Sequence, residues 1–90
     1  MAVLLVTFDP NQDGQDYEGL TAFLEHYKHV FLANGSYAIE THEATRTLYN
    51  KMAEFLTKNI HYYVLTLTKP FSTQCVDDVK KWLVDHLPSV

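Results

Sequence analysis

Val3-Leu4-Leu5-Val6-Thr7-Phe8, closed by Asp9-Pro10, is the stretch whose reading decides the fold of this chain. A nearly unbroken apolar run of strand length that stops at turn residues marks a strand buried on both faces, at the centre of a sheet. C-terminal to it, the loop Asn11-Gln12-Asp13-Gly14-Gln15 leads to Asp16, an N-cap residue. Leu20, Phe23, Leu24 and Tyr27 then fall at i, i+3, i+4 and i+7. That spacing predicts a first helix with one apolar face.

Val30 to Ala33 and Tyr37 to Glu40 read as short strands on either side of Asn34-Gly35, a strong signal for a tight hairpin turn. From Thr41, read as an N-cap, a second helix is expected to about Lys58, with Leu48, Met52, Phe55 and Leu56 on its apolar face. His61 to Thr68 is rich in aromatic and β-branched residues and ends at Lys69-Pro70, as a fourth strand should. Asp77-Asp78 then open a third amphipathic stretch carrying Val79, Trp82, Leu83 and His86, with Pro88 beyond its end.

The order β-α-β-β-α-β predicts an α+β, ferredoxin-like antiparallel sheet with both connecting helices on one face and an extra C-terminal helix, the whole of residues 1–90 forming one domain. The other sheet face then needs a cover. Strand one is apolar on both faces; strand four presents Tyr63, Leu65 and Leu67 on one and Tyr62 and Val64 on the other. The third helix covers part of this surface on that reading, and a second copy of the chain covers the rest, so a homodimer is expected.

Ninety residues, 47% of them hydrophobic, with only three glycines and three prolines, describe a packed globule rather than a disordered chain. At this size stability is small and a partner subunit adds to it. The formal charge is −4 and the cations are scattered apart from Lys80-Lys81, which excludes a basic stripe for phosphate backbones and leaves nucleic acid only a local patch or a metal to bind through. A lone cysteine, Cys75, rules out an intramolecular disulfide, and no apolar run approaches the length of a membrane span, so a cytoplasmic protein without membrane attachment is expected.

Asp9 ends the central strand, where a carboxylate can either organise an Asx turn or reach a metal or substrate. Asp9-Pro10-Asn11-Gln12-Asp13-Gly14 also matches the opening of a calcium loop, but Leu20 stands where the bidentate Glu belongs and a strand precedes the loop. The five histidines, His26, His29, His42, His61 and His86, are dispersed, with none at the H-x-x-x-H spacing that puts two imidazoles on one helix face. Cys75 reads as a buried or inert thiol, and Ser36 follows a glycine without a nucleophile elbow. Tyr37, Tyr62 and Tyr63 lie on strands, but Ser36-Tyr37-Ala38-Ile39-Glu40 lacks the basic and glycine residues of an RNA-reading strand; core or dimer packing is their reading.

Taken together, Val3 to Asp9, the hairpin strand Ser36-Tyr37-Ala38-Ile39 and Tyr63-Val64-Leu65-Thr66-Leu67 resemble the CRISPR-associated Cas-two family, to which the virulence-associated protein D toxins are also similar. The resemblance spans about residues 2 to 68. It implies a ferredoxin-like fold, protomers packed sheet against sheet, and an Asp ending strand one at the dimer interface, the position Asp9 matches. Some members are described as divalent-metal-dependent nucleases and others as structural parts of a DNA-integration complex.

Two readings follow from it. In one, the chain is a homodimeric nuclease acting on RNA or DNA, with Asp9 as catalytic carboxylate and ligand of Mg²⁺ or Mn²⁺, and Ser36 orienting the phosphate. In the other it is a non-catalytic dimeric interaction or scaffold module of a mobile-element or toxin system that recruits a protein. The chain departs from the family where Asp77 to Leu87 reads as a helix instead of a strand crossing to the partner, and in its acidic charge.

Overall fold

The computed structural model describes residues 1–89. Its elements are β1 (Ala2–Phe8), α1 (Glu18–Glu25), β2 (Lys28–Ala33), β3 (Ser36–Thr41), α2 (Thr45–Met52), β4 (Tyr62–Leu67) and α3 (Asp77–His86). The four strands form one antiparallel sheet in the order β2-β3-β1-β4, with β1 central as its unbroken apolar run requires. Since β3 is antiparallel to both β1 and β2, those two strands run parallel on either side of it.

Strand alternation sorts the side chains into two cores. Leu4, Val6 and Phe8 of β1, with Tyr37 and Ile39 of β3, pack under Leu20 and Leu24 of α1 and Leu48 and Met52 of α2. On the opposite face Val3 and Ala38 are buried beneath Leu83 and Leu87, at the end of α3 and just beyond it. The third helix thus covers the end of that face where β1 begins. The other end stays open: Tyr63 is 58% and Leu65 48% exposed.

The hairpin between β2 and β3 turns at Asn34-Gly35, where Gly35 takes φ 86° while Asn34 keeps a negative φ, and the β2–β3 register shifts between Phe31 and Ala33. Gly35 is needed twice over, since a Cβ there would run into the Phe8 carbonyl oxygen.

Several boundaries differ from the sequence reading: α1 ends at Glu25, short of Tyr27, and β2 starts at Lys28, ahead of Val30. α1 starts at Glu18, although Asp16 still accepts the Glu18 N–H on Oδ1 at 3.0 Å. Thr41 ends β3 instead of capping α2; its Oγ1 accepts the Glu43 N–H at 3.1 Å, and the helix begins four residues later. α2 stops at Met52, six residues short of Lys58. Phe55 and Leu56 nevertheless pack against the core from the turns that follow, which is why the apolar pattern outlasts the helix.

Candidate functional site

β1 delivers Asp9 to one end of the sheet, between the β2–β3 turn and the start of β4. The Phe8 N–H donates to the Gly35 carbonyl at 2.9 Å on one side, and the Asp9 N–H to the His61 carbonyl at 3.3 Å on the other. Asp9 is exposed, and its Oδ1 accepts the Asn11 N–H at 3.0 Å, which is an Asx turn. Tyr17 fixes the loop from behind: its ring stacks on Phe8 with centroids 5.7 Å apart, its hydroxyl donates to the Asp9 carbonyl at 2.5 Å, and it accepts the Gln12 N–H at 3.1 Å. The sequence marked Asp9 but not Tyr17, which serves the loop instead of extending the helix pattern.

Ser36 lies at the same end of the sheet, opposite Thr7 in the β1–β3 register. Its Oγ is 2.9 Å from Thr7 Oγ1, and no hydrogen bond joins it to Asp9 among the described residues. Either hydroxyl can be the donor of this one bond, which leaves the other's proton free on the open face of the sheet. The calcium-like loop is organised as turns: Gly14 takes φ 82° and the Gln15 N–H donates to the Gln12 carbonyl at 3.3 Å. Among the described residues no three His, Cys, Asp or Glu side chains gather where they could hold a metal ion. Cys75, read as buried or inert, is exposed.

A further accessible surface flanks β4. On the helix side, an open groove of about 660 Å³ is lined by Tyr49, Lys58, His61 and Tyr62 among others. Tyr62 stacks on Tyr49 at 4.6 Å, with the Arg46 guanidinium 5.6 Å from the Tyr49 ring centre. Burial, then the neighbouring Tyr49, push the Tyr62 phenol up to about 12, so it stays protonated near neutrality. On the opposite side lie Tyr63 and Leu65, with Thr7 and Ser36 beyond them. The three strand tyrosines differ in burial: Tyr37 is core, Tyr62 is half-buried and Tyr63 is exposed, the last two both bordering the groove.

No helix among the described residues is long and apolar enough to cross a membrane. No protein-family model, curated protein or solved structure matches the chain.

Proposed function

We propose that this chain is a ferredoxin-like interaction module that works as a homodimer and recruits a protein partner, without chemistry of its own. The ferredoxin-like reading is supported by the strand order β2-β3-β1-β4, with β1 and β2 parallel around β3 and both connecting helices on one face. The module reading rests on one observation: the part of the second face that α3 leaves open carries Tyr63 and Leu65, 58% and 48% exposed and adjacent on one strand. Large apolar side chains grouped on an accessible strand are what an interaction surface needs.

A second reading is favoured by the exposure of Asp9 at the same sheet end as Ser36. In it the chain is a Cas-two-like nuclease, with Mg²⁺ or Mn²⁺ held between the Asp9 carboxylates of two copies and supplying water activation and charge neutralisation at a phosphodiester. Ser36 then orients the phosphate. The acidic balance of the chain and the Asx turn at Asp9 weigh against it.

One experiment separates them. The wild-type chain and Asp9→Asn are incubated with single- and double-stranded RNA and DNA in Mn²⁺, while sedimentation follows their oligomeric state. The module reading expects dimers and no cleavage by either. Cleavage by the wild type that Asp9→Asn abolishes, with the dimer intact, overturns it in favour of the nuclease.

A further inference from the structure

The two outer strands of the sheet, β2 and β4, are built differently. An edge strand offers a row of unpaired N–H and C=O groups to any other strand, and natural proteins blunt such edges with charges, prolines or bulges. β2 is blunted: it opens on the exposed, charged Lys28 and breaks register between Phe31 and Ala33. β4 is not. Tyr62-Tyr63-Val64-Leu65-Thr66-Leu67 contains no charge, no Pro and no Gly, and it pairs with β1 without a register shift along its whole length.

Backbone alternation fixes which groups of β4 face outward. The Asp9 N–H bonds the His61 carbonyl, so the odd-numbered residues of β4 turn their N–H and C=O toward β1. Tyr62, Val64 and Thr66 must turn theirs to the open edge.

We propose that β4 pairs antiparallel with β4 of a second copy about a two-fold axis at Val64. The hydrogen-bonded pairs are then Val64 with Val64, and Tyr62 with Thr66, of the other copy. This register sets Tyr63 directly opposite Leu65 of the second copy on the open face, twice over, so the two exposed apolar side chains of the strand cover each other. A second copy is the fitting occupant because a two-fold axis places each group close to its own duplicate or the duplicate's neighbours. In a chain of charge −4, an isologous contact works best on a stretch without charge, as β4 is. The proposal rests on the dimeric-module reading and adds its geometry.

The test uses the full chain. Sedimentation establishes the dimer, and residue-resolved amide exchange reads the edge: the Val64 and Thr66 amides are protected in the dimer and lose protection on dilution to monomer. Leu65→Lys, an exposed site where folding is undisturbed, gives a monomer with those two amides unprotected. In a Cys75→Ser background, Val64→Cys forms a disulfide-linked dimer on mild oxidation, since a hydrogen-bonded antiparallel pair holds its Cα atoms about 5.5 Å apart, within disulfide reach. A dimer whose Val64 and Thr66 amides exchange freely overturns the edge pairing and leaves the dimeric module standing. A chain that stays monomeric at millimolar concentration overturns both.

Discussion

Gly14 and Gly35 share almost the same backbone, φ 82° and 86°, yet only one of them has neighbours. A Cβ on Gly14 meets nothing within 4 Å, whereas on Gly35 it would strike the Phe8 carbonyl oxygen and lie 3.2 Å from Pro10 Cδ. Gly14→Ala should therefore cost only the left-handed strain, about 1–2 kcal/mol, and Gly35→Ala clearly more, because β1 and the turn must part. Urea denaturation of the two variants checks this; equal losses would mean the turn yields freely. Asp9 invites a similar comparison. Asparagine keeps an oxygen for the Asn11 N–H, so Asp9→Asn should leave stability within about 0.5 kcal/mol, while Asp9→Ala, which removes the acceptor, should cost about 0.5–1.5 kcal/mol. A large loss in Asp9→Asn would show that the charge itself holds the loop. Glu43 adds a pH signature, since its carboxyl accepts hydrogen bonds from Lys51 and from Tyr27, the latter at 2.7 Å. The Lys51 bond, foremost, holds the Glu43 carboxyl below the usual range, and burial with Glu43 pushes the Tyr27 phenol up to about 12. A depressed carboxyl contributes stability above its unfolded value of 4.5 that fades as pH falls through the folded one. The raised phenol contributes below 10.0 and is lost as pH climbs toward about 12. Acid unfolding of Glu43→Gln should converge with the wild type as pH drops below 4.5, and parallel curves would show that Glu43 is not the group responsible.

The elements show what local pattern carries and what it does not. β1 was legible because apolar residues on both sides of a strand can only be satisfied in the middle of a sheet, and Asn34-Gly35 because few residue pairs turn a hairpin so tightly. The end of α2 was not legible. Beyond Met52 the chain keeps its apolar rhythm because Phe55 stacks on Phe23 of α1 at 5.2 Å, and its backbone is held from far away: Gln15 donates to the Phe55 carbonyl at 2.8 Å and accepts the Thr57 N–H at 2.9 Å. A contact across some forty residues leaves no local trace. Of the candidate site, the turn at Asp9 was readable from Asp9-Pro10, but the Tyr17 strut and the Thr7–Ser36 hydroxyl pair depend on tertiary placement. α3 was readable as an amphipathic helix, though not the end of the sheet it shields. Leu83, buried over Val3 and Ala38, is its main anchor, and Leu83→Ala should cost about 2–5 kcal/mol. Chemical denaturation gives the number; a loss under about 1 kcal/mol would mean that α3 is loosely held and the second face is open over its full length.

At the scale of the whole molecule, the position of α3 limits how two copies can meet. Sheet-against-sheet packing over the entire second face is blocked where Leu83 and Leu87 already sit, while the β4 edge and the Tyr63–Leu65 flank remain accessible. Edge pairing about Val64 has a consequence for Asp9. Asp9 lies opposite His61 on β1, three residues along β4 from the axis, and β1 is one strand further from the junction. With about 3.4 Å per residue and about 4.8 Å between strands, the two Asp9 residues stand about 20 Å apart along the strands and about 14 Å across them, or about 25 Å in all. No metal ion bridges that gap. Spin labels on Asp9→Cys in a Cys75→Ser background measure it directly, and edge pairing requires a single separation in the region of 25 Å, allowing for the length of the labels. A short separation, with the labels in or near contact, would instead bring the two carboxylates to one axis and give the nuclease reading the paired ligands that a single chain lacks.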